Sequence, residues 1–199
     1  MPLILPKAGS FSLEEKRSKF YGYCAPVTTS DEAMAVVEDL RRRYRGASHY
    51  VFAYGLSACN TVRFSDDGEP SGTAGMPVLT VFQKGGVIDF VCVVTRYFGG
   101  TLLGAGGLVR AYTKAAKGAL EAAGPQERVV FRRYRVRCDY AQHDKMKHQF
   151  KAWQVEILDL AYTQHCEALV QVREEWEPAF LQGGFYDVFE EAGAVERER

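Results

Sequence analysis

Three carboxylates and a threonine lie close together in the segment DDGEPSGTAG, residues 66–75. They are Asp66, Asp67, Glu69 and Thr73. Carboxylates at this density are able to ligate Mg²⁺, to act as general acid and base, or to pair with an arginine such as Arg96. The segment is also rich in turn-forming residues, which favour Asx turns and a helix cap at Thr73. The sequence leaves both interpretations open.

A glycine-rich segment, RYFGGTLLGAGGL at residues 96–108, directly follows the apolar run IDFVCVVT. Its glycines are Gly99, Gly100, Gly104, Gly106 and Gly107. It does not match a Walker A loop, because Ala105 and Gly106 stand where Lys and Ser or Thr are needed. It does not match a dinucleotide fingerprint, because Val109 stands at the third glycine position.

The elements around these glycines nevertheless favour an anion site. A strand, a glycine-rich turn and a helix that begins near Gly106 predict exposed N–H groups and a positive dipole end. Arg96 and Arg110 flank that helix start, where a phosphate or carboxylate could bind. The alternative is that the glycines only permit tight packing of the helix on the sheet. Tyr97 and Phe98 offer a third possibility, an aromatic anchor for a protein partner.

No catalytic constellation accompanies these two segments. The four histidines follow no zinc-binding pattern, no G-x-S-x-G motif is present, and the five cysteines are widely spaced. We therefore predict no catalytic residue, no metal site and no cofactor, and we interpret the cysteines as small thiols in a reducing cytosol.

Composition sets broad limits on the function. The chain has 199 residues, 47% of them apolar, and 25 basic residues balance 25 acidic ones. This balanced net charge does not indicate a nucleic acid or a membrane as a partner of the whole protein surface. No apolar run approaches ~18 residues and the N-terminal apolar run is too short for a signal peptide, so we expect a cytoplasmic protein without a membrane span.

The first 127 residues alternate between strand and helix patterns. Strands are predicted at 19–27, 49–56, 61–65 and 87–98, and helices at 32–45, capped by Asp31, and at 107–124. Residues 78–86 fit a short helix or a strand equally well. The pair Gly124-Pro125 closes the last helix. We therefore place a boundary near Pro125 to Arg128, at which limited proteolysis should cut if little surface joins the two parts.

Residues 128–199 have the pattern βαββα with a short final strand, and their last helix is predicted over 177–193. This is the order of a ferredoxin-like domain, whose helices cover one face of an antiparallel sheet. Alternation along FRRYRVRCDY places Arg133, Arg135 and Arg137 on one strand face, opposite Tyr134, Val136 and Cys138. The three arginines are candidates for nucleic-acid binding on the open face, unless acidic neighbours neutralise them.

Four segments together resemble the IMPACT/YigZ family. They are KRSKFYGY, SHYVFAY, DDGEPSGTAGMPVL and VVTRYFGGTLLGAGGLVRAY. The resemblance covers the first ~125 residues, and the remainder is similar to the small C-terminal domain of bacterial members. It implies an α+β protein: residues 1–127 would form a domain like the second domain of ribosomal protein S5, and residues 128–199 one like the last domain of translocase elongation factors.

The resemblance also implies a role in translation. Eukaryotic members of the family are translational regulators, and bacterial members are suspected of binding nucleic acid or the ribosome. Our leading hypothesis is a non-catalytic cytoplasmic factor that acts in translation or its stress regulation by binding RNA or a ribosomal component. The alternative is a metal-assisted enzyme whose acids hold the metal and whose glycine loop cradles a phosphate-bearing small molecule.

Overall fold

The computed structural model describes the backbone of residues 2–198 and the side chains as far as Ala194. The chain divides into two compact units, residues 1–127 and 128–199. Both are built from antiparallel strands and helices, an α+β architecture. None of the helices within the described residues is long and apolar enough to cross a membrane.

The first unit is a five-stranded sheet with helices on both faces. Its elements are β1 (Leu3–Ile4), β2 (Gly9–Glu15), β3 (Ser18–Pro26), α1 (Ser30–Arg43), β4 (His49–Leu56), β5 (Thr61–Ser65), α2 (Gly75–Lys84), β6 (Phe90–Tyr97) and α3 (Ala105–Ala123). The strand order is β2-β3-β6-β4-β5, and every neighbouring pair is antiparallel. Helix α1 packs on one face and α2 and α3 pack on the other, so the central strand β6 is buried on both sides.

Three details of the first unit differ from the expectations. Strand β2, GSFSLEE, was not predicted because its mostly polar residues carry no apolar alternation. Helix α1 is capped by Thr29 rather than Asp31, in a capping box with Glu32. Residues 78–86, which fitted a helix or a strand, lie mainly in helix α2.

The second unit contains β7 (Gln126–Cys138), α4 (His143–Ala152), β8 (Glu156–Tyr162), β9 (Cys166–Arg173), α5 (Glu177–Leu181) and β10 (Asp187–Glu198). The strand order is β8-β9-β7-β10, all antiparallel. Side chains from both helices, including Met146, Phe150 and Phe180, join Tyr134, Val136 and Cys138 in one core.

The C-terminal segment corrects the predicted helix over 177–193. Helix α5 ends at Leu181, two glycines follow at 183 and 184, and residues 187–198 form a long strand that pairs with β7. The apolar spacing of Phe180, Leu181 and Phe185 imitated a helix. Pairing with β7 across the sheet outweighed that local pattern.

The predicted boundary near Pro125 to Arg128 falls within a paired strand. Strand β7 begins at Gln126, and its first two residues pair with Leu3 and Ile4. From Arg128 onward it pairs with β10, and from Phe131 it pairs with β9 as well. The chain therefore passes the junction as paired strand.

This pairing predicts slow hydrogen exchange at the junction. Amides of residues 129–137 should exchange as slowly as those of β6, because opening them requires disruption of a central strand. Exchange of the intact chain followed by mass spectrometry measures this, with the loop at residues 98–104 as the fast reference. Equal exchange in the two segments, or a first tryptic cut at Arg128, would contradict the paired junction.

Candidate functional site

A buried ion pair joins the acidic segment to the end of β6. Arg96 Nη1 donates to Glu69 Oε1 at 2.6 Å, and the two side chains are only 5% and 4% exposed. The hydroxyl of Tyr112, on α3, donates to the same oxygen at 2.7 Å. Burial, and secondly the Glu69 hydrogen bond, raise the pKa of Tyr112 well above its ordinary value, so this hydroxyl remains a donor.

Arg96 also fixes the first residues of the glycine-rich loop. Its Nη2 donates to Ser18 Oγ at 3.3 Å, and the same oxygen accepts a hydrogen bond from the Gly99 N–H at 3.1 Å. Its guanidinium lies 5.4 Å from the ring centre of Phe20 and 5.5 Å from that of Phe98. The arginine is therefore held between two aromatic rings, and it connects β3, β6 and the glycine loop.

Asp67 is bound to a different set of groups. Its carboxylate accepts from Arg41 Nη2 at 2.8 Å and from the Tyr50 N–H at 2.6 Å. Its backbone carbonyl accepts from His49 Nδ1 at 2.8 Å, so Nδ1 carries the proton. Asp67 thereby attaches the acidic segment to the end of α1 and the start of β4.

Asp66 caps helix α2. Its carboxylate accepts from the backbone N–H groups of Gly72, Ala74 and Gly75 at 2.9, 3.0 and 2.7 Å. The expected cap at Thr73 is wrong, since the Thr73 hydroxyl donates to the Pro70 carbonyl and the N-cap position is Ala74. A side chain eight residues upstream supplies the cap, which local pattern does not predict.

The three carboxylates therefore act in structure-holding contacts with separate partners. Within the described residues no group of three His, Cys, Asp or Glu side chains is arranged to hold a metal ion. This arrangement gives no support to the metal-assisted alternative. Burial raises the pKa of the Cys24 thiol to about 12 and that of the Cys138 thiol to about 11, so neither of these two thiols is activated.

The five glycines of the loop have different roles. A Cβ on Gly99 would lie 2.1 Å from the backbone of Arg17, so only glycine fits against this chain turn. Gly100 and Gly104 have φ values of +79° and +71°. A Cβ on Gly106 would meet only the end of the Arg110 side chain, whereas one on Gly107 would lie 3.0 Å from Leu103. Close packing is thus required at Gly99, while the start of α3 is open at Gly106.

Arg110 lies away from the buried ion pair. It lines a depression of about 250 Å³ together with Lys16, Gly107 and Lys114, and the acidic residue Glu15 lines it as well. Arg96, in contrast, does not line this depression, although the sequence placed both arginines beside one helix start.

Tyr97 and Phe98 lie at a second depression, of about 470 Å³, on the first unit. Its lining residues, which we call the aromatic groove, are Arg17, Lys19, Tyr21, Tyr44, Tyr97 and Phe98. The sequence analysis named only the last two. Alternation of Lys19 and Tyr21 in a strand was visible in the sequence, but their proximity to Tyr44 depends on the fold.

The arginine strand face of the second unit is partly neutralised. Arg135 and Arg137 are half exposed, and their Nε atoms lie 3.2 Å from Glu190 and 3.9 Å from Asp187 of β10. The partners are acidic neighbours on the adjacent strand β10, which is the alternative that the sequence left open for this face. No ion pair of Arg133 is found among the described side chains. Such exposed pairs are weak, but they lower the positive potential of this face.

Fold and site together define a two-unit α+β protein whose acidic turn and glycine-rich loop are joined by a buried ion pair. The family model of the Impact N-terminal domain matches residues 16–120. The chain is 34% identical over 177 residues to the IMPACT family member YvyE of Bacillus subtilis, covering 88% of this chain and 82% of that protein. The chain belongs to the IMPACT family, which confirms the resemblance.

Two further comparisons agree with this assignment. The IMPACT family member YigZ of Escherichia coli is 38% identical over 143 residues, which cover 70% of each chain. A crystal structure described only as that of a hypothetical protein is 30% identical, with a TM-score of 0.62, over 94% of this chain and 95% of its own. Similarity therefore extends over both units and is not restricted to the Impact N-terminal domain.

Removal of one partner of the buried pair should destabilise the protein strongly. Glu69→Gln leaves the Arg96 charge buried without its counter-ion, and we expect a loss of roughly 3–5 kcal/mol in the free energy of unfolding. Urea denaturation measures it. The control is Glu121→Gln in the exposed pair with Lys117, which should cost less than about 0.5 kcal/mol. Similar small losses in both variants would show that the buried pair is not structural.

Alanine substitutions separate the two kinds of glycine. Gly99→Ala forces a Cβ against the Arg17 backbone and should cost roughly 1–3 kcal/mol. Gly106→Ala, in the same segment but with open space around it, should be neutral or slightly stabilising because alanine favours a helix. Thermal unfolding of the two variants is the measurement. An equal loss at Gly106 would mean that packing governs the whole loop.

Proposed function

We propose that this protein is a non-catalytic factor that acts in translation or its stress regulation by binding RNA or a ribosomal component. One observation carries the choice of binding over catalysis. Asp66, Asp67 and Glu69, the groups that the metal-assisted alternative would need, are all committed to holding loops and helices together. The neighbouring loop residues Tyr97 and Phe98 line a groove together with cations.

Membership of the IMPACT family supports the translational part of the proposal, because the family resemblance includes translational regulators. The strand order of the second unit supports its domain assignment. We infer that residues 128–199 are a ferredoxin-like domain, since the order βαββαβ with the sheet order β8-β9-β7-β10 fits that class. For residues 1–127 we retain the class of the second domain of ribosomal protein S5.

We further propose a cytoplasmic location, where translation takes place. The five cysteines are free thiols and four of them are buried, which suits a reducing compartment.

Association with ribosomes or RNA tests the proposed function. The full chain, tagged and expressed in bacteria, should sediment partly with ribosomal fractions in a sucrose gradient, and high salt should release it because cation–phosphate contacts are screened. RNA that co-purifies with the protein should be identified by sequencing, with an unrelated tagged protein as the control. A protein that stays at the top of the gradient and enriches no RNA would refute the proposal.

A further inference from the structure

The aromatic groove of the first unit is built from rings that other contacts hold in place. The rings of Tyr21 and Tyr44 are stacked with centres 5.1 Å apart, and Tyr97 meets Tyr21 edge-on at 6.0 Å. The Tyr97 hydroxyl donates to the Arg45 carbonyl, and the Tyr50 hydroxyl donates to the carbonyl of Tyr44. Phe98 lies against the Arg96 guanidinium, yet it is 47% exposed. The groove thus presents preorganised aromatic surface to solvent.

The charge of the groove is positive. Arg17 and Lys19 line it, and no acidic residue does. Neither cation has an ion pair among the described side chains, whereas Arg41, Arg42 and Arg43 at the nearby end of α1 all have acidic partners. Glu14 stands opposite Lys19 in the β2–β3 register and is the acidic neighbour of this edge. Partial burial raises the pKa of Tyr97, so its phenol adds no negative charge near neutral pH.

We propose that the aromatic groove binds single-stranded nucleic acid, and RNA in particular because this inference rests on the proposed function. Bases would stack on Phe98 and on the tyrosine cluster, while Arg17 and Lys19 contact phosphates. Recognition of this kind tolerates different sequences, because every base has a π-face. The strand must be unpaired, since a duplex keeps its bases stacked inside.

The unpaired cations beside the rings favour this ligand over a protein partner. An aromatic anchor for a protein is expected to enter a desolvated interface, where unpaired cations are costly. Here two unpaired cations stand beside the rings, an arrangement that fits a polyanion with planar bases. On the arginine face of the second unit, Arg135 and Arg137 are paired with β10 acids and only Arg133 has no ion pair among the described side chains, so we place the principal site on the first unit.

Fluorescence anisotropy of the full chain with labelled oligo(U) of about twelve nucleotides tests the groove. Phe98→Ala should weaken binding by roughly 5- to 150-fold, the range that corresponds to one lost stacked base. Leu102→Ala is its matched control, because Leu102 is an apolar residue of the same loop, 81% exposed and outside the groove. It should leave the affinity unchanged.

Salt dependence tests the cations separately. Arg17→Gln/Lys19→Gln should lower the slope of log affinity against log salt by about 1.4, or about 0.7 for each cation on a single strand. Arg135→Gln/Arg137→Gln removes two ion-paired cations from the second unit and should change the slope little. Circular dichroism and thermal unfolding of each variant establish that it is folded. If the second pair reduces the slope more than the first, the principal site lies on the second unit and the groove assignment is wrong.

Four further outcomes are decisive. Tighter binding of oligo(U) than of an RNA duplex of equal length supports the groove, and equal binding of oligo(dT) shows that the site reads stacking and phosphate rather than the 2′-hydroxyl. Ribosome association with no measurable oligo(U) binding would overturn the groove proposal in favour of a protein contact, while the proposed function would stand. Loss of both ribosome association and RNA binding would overturn both proposals.

Discussion

The buried Glu69–Arg96 pair is the contact on which the arrangement of the first unit depends. A charged pair this deeply buried is costly unless its remaining hydrogen-bonding groups are satisfied. Tyr112 donates to the carboxylate and Arg96 donates to Ser18, whereas Arg96 Nε is buried without a partner among the described residues, so the network is only partly satisfied. Its contacts bring four elements of the first unit to one point. Net stabilisation of the fold is not the main role of this pair, because packed apolar residues at the same positions could supply it. The pair determines where the acidic segment, β3, β6 and α3 meet.

This constraint also determines what faces solvent. Arg96 is the last buried residue of β6, and the next two residues, Tyr97 and Phe98, turn outward. Because Ser18 Oγ also holds the Gly99 N–H, the glycine loop leaves the strand close to the β2–β3 turn that carries Arg17. The aromatic groove is therefore a direct consequence of the buried network, although none of the network's carboxylates lies in it.

Sequence reasoning succeeded where local pattern and tertiary structure agree. Helix α3 ends at Gly124 in the left-handed conformation, as the Gly-Pro pair indicated, and period-2 alternation correctly separated Arg135 and Arg137 from the buried Tyr134, Val136 and Cys138. It failed where strand pairing, rather than the pattern within the strand itself, decides the outcome. Strand β2 has few apolar residues, and β10 was mistaken for a helix because its pairing with β7 cannot be read from its own residues. The partners of the acids were missed for the same reason. Asp66 accepts a hydrogen bond from the N–H of Ala74, eight residues later, and Asp67 pairs with Arg41.

The aromatic groove could not be predicted from local sequence pattern either. Its residues come from a turn, a strand, a helix end and a loop spread over more than 80 positions, and the two cations carry no motif of their own. The sequence drew attention instead to DDGEPSGTAG and GGTLLGAGG because their composition is unusual. In the structure these residues mainly hold the fold together. The carboxylates cap a helix or form ion pairs, and Gly99 allows two backbone segments to pack closely. A chain that turns sharply in a buried region needs an unusual composition. Such a composition therefore indicates the framework that positions a surface as readily as it indicates the surface itself. In this protein the framework and the aromatic groove are adjacent, and the buried Arg96 connects them, since it pairs with Glu69 and lies against Phe98 of the groove.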